Sequence, residues 1–132
     1  MMKSMTSQEE LKKYTILIVD DEEDLRETVA FDFQRKGFTV LTAESAEKGF
    51  EIVKKTKVDL VISDMKMPGG NGVSLLEKIR IQNAAVPIVI FMTGFSDVSE
   101  EECIKKGATQ VVTKPFERSV LMKAVMNSLK IS

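Results

Sequence analysis

The sequence predicts one α/β domain in which five parallel strands alternate with five helices, a (βα)5 arrangement. Short apolar runs rich in Val and Ile show little alternation, as expected of parallel strands covered on both faces. Longer stretches with apolar residues at helical spacing lie between these runs. The 132 residues fit one domain, and no repeat, low-complexity tract or linker divides the chain. These observations together favour a parallel sheet with helices on both sides.

The five predicted strands are the compact apolar runs of the chain. They are Ile16–Val19, Val40–Leu41, Val58–Ile62, Ile88–Met92 and Val111–Val112. Strands that alternate with helices through short links pair in parallel, and the crossovers between them are right-handed. Periodicity by itself does not fix the order of the strands in the sheet.

The five predicted helices follow from apolar stripes and from residues that start or stop a helix. Gly37 is expected to end the first helix, Ser45 to cap the second, and Gly107 to end the fourth, which spans about Val98 to Lys106. The third and fifth helices are recognised by their apolar faces alone, and the first and second also show such faces. The stripes are Leu25, Val29 and Phe33; Ala46, Gly49, Phe50 and Val53; Val73, Leu76 and Ile79 with Leu75 beside them; and Leu121, Ala124, Val125, Ser128 and Leu129.

Composition excludes several classes of function. The net charge is −1, so no basic field indicates direct binding of nucleic acid. Histidine is absent and Cys103 is the only cysteine, which excludes structural zinc, a Cys/His nucleophile pair and an intramolecular disulfide. Any chemistry must therefore use carboxylates, hydroxyls, lysines or a hard metal ion.

The chain shows no signal for membrane insertion or export. Residues 1–12 are expected to form a polar N-terminal leader before a domain over residues 13–130, and they lack the apolar core of a signal peptide. The longest apolar run, Ala84 to Met92, has nine residues, which is too short to span a bilayer. We therefore expect a cytoplasmic protein without a membrane partner. We also expect Met1 to be the natural start, so that any further domain would follow the C terminus.

Polar side chains follow four of the five strands, at the point where each strand ends. Asp20 and Asp21 follow the first strand, Asp64 the third, Thr93 the fourth and Lys114 the fifth. Because the carboxyl ends of parallel strands lie along one edge, where ligands bind, we expect these groups to converge on one crevice. The second strand offers only a threonine and is expected to lie outside the site.

The chemistry of this set favours phosphoryl transfer to a carboxylate. Three carboxylates close together either raise a pKa or recruit a cation, and hard oxygen ligands favour Mg²⁺. Thr93 can donate a hydrogen bond to a phosphoryl oxygen and Lys114 can neutralise its charge. A carboxylate is itself a nucleophile toward phosphorus. The acids that follow Asp21, namely Glu22, Glu23 and Asp24, open a helix, where the dipole favours negative charge by about 0.3–1 kcal/mol each.

At these positions the chain resembles the receiver domains of two-component response regulators, over about residues 13 to 130. All four motifs of that family stand in order, each at a strand end. They are Asp20-Asp21, Asp64-Met65-Lys66-Met67-Pro68-Gly69-Gly70-Asn71-Gly72, Thr93-Gly94 and Lys114-Pro115-Phe116. The resemblance implies the flavodoxin-like strand order 2-1-3-4-5. It also implies a bacterial signalling protein rather than an enzyme, with at most slow autodephosphorylation.

The resemblance assigns a role to each matching residue. Asp64 would accept the phosphoryl group, Thr93 would move toward it, and Lys114 would pair with it. The bond between Lys114 and Pro115 would be cis and would place the ammonium over the site. The ligands of Mg²⁺ would be Asp21 and Asp64 directly, the backbone carbonyl of Lys66, and Asp20 through water. The phosphodonor would be a phosphohistidine on a sensor histidine kinase or a histidine phosphotransfer protein. The output would be a downstream effector protein or an output domain missing from the C terminus.

One position departs from the family pattern. Receivers usually carry Tyr or Phe three residues before the lysine, whereas this chain has Val111, a β-branched side chain that cannot make the same swing. Phosphorylation would survive this change, whereas the usual route from the site to the output face depends on the aromatic swing that this position lacks. Phe95 could take over part of that role or could gate access to Asp64, and the sequence leaves both alternatives open.

Two other functions compete with the receiver interpretation. A Mg²⁺-dependent phosphatase with an aspartyl-phosphate intermediate fits the three aspartates, but such enzymes usually carry Asp-x-Asp after the first strand together with a cap domain. A receiver-like interaction module that takes no phosphate is the third interpretation, and the intact set of acids, hydroxyl and lysine argues against it.

Overall fold

The computed structural model describes residues 8–65, 72–94, 100–114 and 116–131. Five parallel strands form one sheet in the order β2-β1-β3-β4-β5, which confirms the predicted fold class and strand order. The strands are β1 (Thr15–Val19), β2 (Thr39–Ala43), β3 (Leu60–Asp64), β4 (Ile88–Thr93) and β5 (Gln110–Thr113).

Helices connect successive strands and cover both faces of the sheet. They are α1 (Gln8–Leu11), α2 (Glu23–Lys36), α3 (Ala46–Lys55), α4 (Gly72–Gln82), α5 (Glu100–Lys105) and α6 (Arg118–Ser128). Helices α2 to α6 are the five predicted ones, and α1 is an additional short helix before the sheet. Within the described ranges, no helix combines the length and the apolar character that crossing a bilayer would require.

The predicted helix ends are confirmed where the structure describes them. The Ser45 hydroxyl accepts a hydrogen bond from the Lys48 N–H at 3.2 Å and so caps α3. Gly37 ends α2 with a φ of 126°, a conformation that disfavours any side chain, and Gly107 follows α5 with a φ of 114°. Helix α5 is described from Glu100 onward, and the predicted start near Val98 lies outside the described residues.

Two hydrophobic cores lie on opposite faces of the sheet. Helices α2 and α6 pack on one face, and α3, α4 and α5 pack on the other. Alternate side chains of each central strand divide between the faces, so that Ile16 and Ile18 enter the first core while Leu17 and Val19 enter the second. The second core also buries the thiol of Cys103 completely.

The N-terminal segment contributes to the first core. Leu11 is 1% exposed and packs with the residues under α2 and α6, two positions before the predicted domain start at residue 13. A single apolar residue among polar neighbours gives no periodic signal, so the sequence pattern missed it. Packing therefore begins inside the predicted leader, whose first seven residues lie outside the described ranges.

Burial separates the central strands from the edge strands. Strands β1, β3 and β4 are almost completely buried, whereas β2 and β5 lie at the edges and are partly exposed. The groups that follow the three central strands therefore lie at the end of the most deeply buried part of the sheet.

Candidate functional site

The carboxyl ends of the central strands bring the predicted acids together. Residue Val19 of β1 lies opposite Ser63 of β3, so that Asp20 and Asp64 are one position further along neighbouring strands. One carboxylate oxygen from each of Asp20, Asp21 and Asp64 lies within 4.8 Å of the others. The structure therefore places the three predicted acids in one cluster.

Asp20 is the buried member of this cluster, with 0% of its surface exposed. Its N–H donates to the Ala43 carbonyl at 3.1 Å, which continues the pairing of β1 with β2. Its Oδ1 accepts a hydrogen bond from the Glu22 N–H at 2.9 Å. Its Oδ2 is also buried and has no hydrogen-bond partner among the described residues. Such an orphaned oxygen is costly unless a cation or a proton satisfies it.

The environment of Asp20 disfavours its charged form. Burial is the largest cause that raises its pKa, which stands at about 6, and the charges of Asp64 and Asp21 add to the increase. The Glu22 N–H and the Lys114 ammonium act in the opposite direction. The protein on its own thus holds this carboxylate at a cost in free energy that a bound cation would remove.

Asp64 pairs with the predicted lysine. The Lys114 Nζ lies 3.4 Å from Asp64 Oδ2, and both side chains are largely shielded from solvent. The backbone N–H of Lys114 donates to the Thr93 carbonyl at 2.6 Å, which joins the ends of β5 and β4. The lysine that the sequence separates from Asp64 by fifty positions therefore contacts it directly.

Thr93 ends β4 at the same edge and is 4% exposed. Its neighbour Met92 lies opposite Asp64 in the register of β3 and β4, which places the threonine beside the crevice. Lys66, Phe95 and Pro115 lie outside the described residues, so the predicted carbonyl ligand, the gating role and the cis bond stay predictions. Val111 is half-buried, lies opposite Phe91 in the register of β5 and β4, and packs against the second core.

Gly72 lies in close contact with the backbone of Asp64. A Cβ atom at this position would lie 2.5 Å from the Asp64 carbonyl oxygen and 2.7 Å from the Phe91 ring. The Ser63 hydroxyl donates to the same Asp64 carbonyl at 2.9 Å. Gly72 is therefore required for close packing at the start of α4.

Arg26 is a contact that the sequence interpretation missed. Its Nη1 donates to the Asp20 carbonyl at 2.8 Å from the first turns of α2. An arginine six residues after Asp20 matches no spacing rule, because the loop between strand and helix decides where its side chain reaches. Only the three-dimensional structure reveals it.

The residues of this cluster fit a divalent metal ion. A group of three carboxylates supplies the hard oxygen ligands that Mg²⁺ prefers. The buried Oδ2 of Asp20, which has no partner among the described residues, can bind the cation or one of its waters. The observation is independent of the family resemblance, since it follows from the hydrogen bonds around Asp20.

Comparison with known proteins extends these findings. The family model described as the response regulator receiver domain matches residues 16–126. The transcriptional regulatory protein FixJ of Rhizobium meliloti is 34% identical over 113 residues, which cover 85% of this chain and 55% of FixJ. The transcriptional regulatory protein GlrR of Escherichia coli is 30% identical over 117 residues, which cover 89% of this chain and 26% of GlrR.

A solved structure shows the same likeness in three dimensions. The response regulator receiver domain protein of Clostridium thermocellum superposes with a TM-score of 0.81 at 31% identity, over 89% of this chain and 94% of the other. The chain spans about a quarter to about half of the length of the two curated relatives. Since the family model matches most of the sequence, the chain belongs to the receiver domains of two-component response regulators.

Proposed function

We propose that Asp64 accepts a phosphoryl group in a Mg²⁺-dependent reaction and that the phosphorylated chain switches a partner. Phosphoryl acceptance is the general function of the family. The observation that carries the proposal for this chain is the cluster of three carboxylates with oxygens within 4.8 Å, one of them paired with Lys114. Negative charge is concentrated there and only partly neutralised, as phosphoryl transfer at a metal site requires.

Among the three acids, Asp64 is best suited to attack phosphorus. Asp20 is completely buried, which closes it to a phosphodonor, and its Oδ1 is engaged by a backbone N–H. Asp21 is exposed and has no cation positioned beside it among the described contacts. Asp64 is partly accessible and lies beside the Lys114 ammonium, which can neutralise an incoming phosphoryl oxygen.

The reaction forms an O–P bond and breaks a P–N bond. A carboxylate oxygen of Asp64 attacks the phosphorus, the P–N bond of the donor phosphohistidine breaks, and its electron pair returns to the imidazole nitrogen. The product is an acyl phosphate on Asp64. Lys114 and Thr93 would then bind oxygens of the phosphoryl group from either side of the crevice, by charge and by hydrogen bonding respectively.

Asp20, Asp21 and Asp64 would hold Mg²⁺. When bound, the ion would neutralise the carboxylates and the phosphoryl oxygens that approach them. The family resemblance adds the Lys66 carbonyl as a further ligand and a water between Asp20 and the ion, and these remain part of the proposal. Asp20 would contribute mainly its negative charge and its fixed position on the buried side of the site.

The partners follow from the family. Receivers interact with histidine kinases and output domains, and FixJ and GlrR are named as transcriptional regulators. For this chain we propose a sensor histidine kinase or a histidine phosphotransfer protein as the donor. The output would be a downstream effector or an output domain of a longer regulator. The signal would leave the site without the aromatic swing at Val111.

The test is a phosphorylation assay with acetyl phosphate or a phosphorylated kinase in the presence of Mg²⁺. The wild type should take up one phosphoryl group and Asp64→Asn none, because the amide is not a nucleophile toward phosphorus. Asp24→Asn, which removes an exposed acid from α2, serves as the matched control and should be labelled normally. Label retained by Asp64→Asn would contradict the proposal. Sustained release of phosphate from small phosphoesters would instead favour the phosphatase.

A further inference from the structure

We propose that Arg26 is a positioning residue that sets the Mg²⁺ affinity of the acid cluster through the backbone of Asp20. This inference rests on the proposed function of the same site. Among the described residues, the hydrogen bond that the Arg26 side chain donates goes to a backbone carbonyl and not to a reacting group, so that its effect would pass through the peptide to which it is bonded. The hydrogen bond from its Nη1 to the Asp20 carbonyl, at 2.8 Å, is the contact that carries the inference.

The bonded carbonyl belongs to the peptide that joins Asp20 to Asp21. The plane of that peptide fixes the directions in which both side chains leave the backbone. One contact to the carbonyl therefore orients two of the three carboxylates. A hydrogen bond from a charged guanidinium is also stronger than one between neutral groups, which makes it suited to hold a loop that ends a strand.

Within the described part of the chain, the other contacts of Asp20 place no second hydrogen bond on this carbonyl. The Asp20 N–H is held by the Ala43 carbonyl on the strand side, and Oδ1 is held by the Glu22 N–H. After Asp20 the chain leaves the sheet, and the helix begins only at Glu23. Arg26 spans this gap from the helix back to the strand end, where no ladder hydrogen bond reaches.

On its outer side Arg26 lines a groove that also contains a carboxylate. It faces a groove between β2 and α3 that includes Glu44, whose pKa is lowered chiefly by the ion pair with Lys48 and slightly by the charge of Arg26. The guanidinium thus donates to a backbone carbonyl on its inner side and lies in the same groove as a carboxylate on its outer side. The hydrogen bond to the Asp20 carbonyl is the contact that orients it.

Arg80 provides a matched control in the same chain. Its Nε also donates to a backbone carbonyl, that of Gly107, at 3.0 Å, and its side chain is also half-buried. It lies near the end of α4, about 12 Å along the helix from Gly72 beside Asp64. Loss of this hydrogen bond should reduce stability in a similar way without touching the acid cluster.

The experiment compares Arg26→Met, Arg26→Lys and Arg80→Met with the wild type. Methionine keeps an apolar stem but removes every donor, and lysine keeps one donor. Mg²⁺ binding is measured by isothermal titration calorimetry above the pKa of Asp20, which is about 6. We expect the Kd to rise about tenfold in Arg26→Met, as is typical for groups that orient metal ligands. It should rise less in Arg26→Lys and stay unchanged in Arg80→Met.

A second readout separates positioning from general destabilisation. The Mg²⁺ concentration for half-maximal phosphorylation should rise in Arg26→Met, while the rate at saturating Mg²⁺ stays near that of the wild type. Equal Kd values for the wild type, Arg26→Met and Arg26→Lys would overturn this inference and leave the proposed function intact. A wild type that binds no Mg²⁺ would overturn both. If Arg26→Met does not fold, the Kd of Arg26→Lys decides the question.

Discussion

Two aspartates at opposite ends of the sheet show how the same residue type serves structure in one place and chemistry in another. Asp59 precedes β3 at the amino edge, where its Oδ2 accepts a hydrogen bond from the Thr15 N–H at 2.7 Å. Its own N–H and carbonyl bond to Thr15 and to Ile88, so that it joins the starts of three strands. Asp20 follows β1 at the carboxyl edge, where one of its oxygens has no partner among the described residues.

The difference lies in what each carboxylate still requires. The main chain supplies Asp59 with a hydrogen-bond donor, so that its side chain joins two strands without requiring any further partner. Asp20 is more deeply buried but keeps an unsatisfied oxygen beside two further acids. A buried carboxylate that the protein leaves unsatisfied indicates a bound cation more strongly than any count of acids does.

The largest effect should appear in the pH dependence of stability without metal. Because the pKa of Asp20 rises from 3.8 to about 6 on folding, the folded chain binds this proton more tightly than the unfolded chain does. The contribution of Asp20 to the free energy of unfolding should therefore fall as the pH rises from about 4 to about 6. The full loss, at most about 3 kcal/mol, persists above that range.

Urea unfolding of the wild type and of Asp20→Asn in EDTA, at a series of pH values, measures this effect. The difference between the two free energies of unfolding should grow in favour of the variant as the pH rises. Saturating Mg²⁺ should remove the loss of stability that the wild type shows at higher pH, because a bound ion compensates the charge of the Asp20 carboxylate. The variant has no such loss to remove. Parallel pH profiles for the two proteins would show that Asp20 is not the group that titrates.

Substitutions of Asp59 should lower the stability of the fold without changing its Mg²⁺ affinity, and the change in free energy should be somewhat smaller than that for Asp20. Asp59→Ala leaves the Thr15 N–H without its acceptor and should lower the free energy of unfolding by about 1–3 kcal/mol. Asp59→Asn keeps an acceptor oxygen and should lose less. The Kd for Mg²⁺, measured by calorimetry, should match the wild type in both. A weakened Mg²⁺ affinity in Asp59→Asn would mean that the two edges are coupled.

The smallest effect is expected within the acidic run itself. Asp24 lies in the first turn of α2, where its charge interacts with the helix dipole. Asp24→Asn should lower stability by about 0.3–1 kcal/mol and leave the Mg²⁺ affinity unchanged. Thermal unfolding with and without Mg²⁺ measures both quantities. If Asp24→Asn lost the stabilisation by Mg²⁺, the division of the run between site and helix would have to be redrawn.

Much of the fold was readable from the sequence because its signals are local and repeated. Apolar runs marked the buried strands, Ser45 and Gly37 marked helix ends, and polar residues at strand ends marked the crevice. The strand order came from the family resemblance, and the structure confirms it. The acids and Lys114 could be placed together because parallel strands all end at one edge.

The rest depends on contacts that no local pattern encodes. Arg26 reaches the Asp20 carbonyl, and Arg118 forms an ion pair with Asp32, 86 residues away, only because α2 and α6 pack on the same face. Leu11 enters the core as a single apolar residue in a polar segment. Gly72 is fixed by a distance to the Asp64 carbonyl, and distances of that kind arise from packing.

The burial of Cys103 gives the chain a built-in reporter of local opening. The only thiol of the protein is completely enclosed on α5, a helix of six residues in the second core. A thiol reagent can reach it only when that helix or its surroundings separate from the sheet. The rate of alkylation therefore measures how often the α5 face opens, with no label to introduce and no second cysteine to remove. A comparison of the alkylation rates in the metal-free and metal-bound states shows whether metal binding at the acid cluster changes how often the α5 face opens.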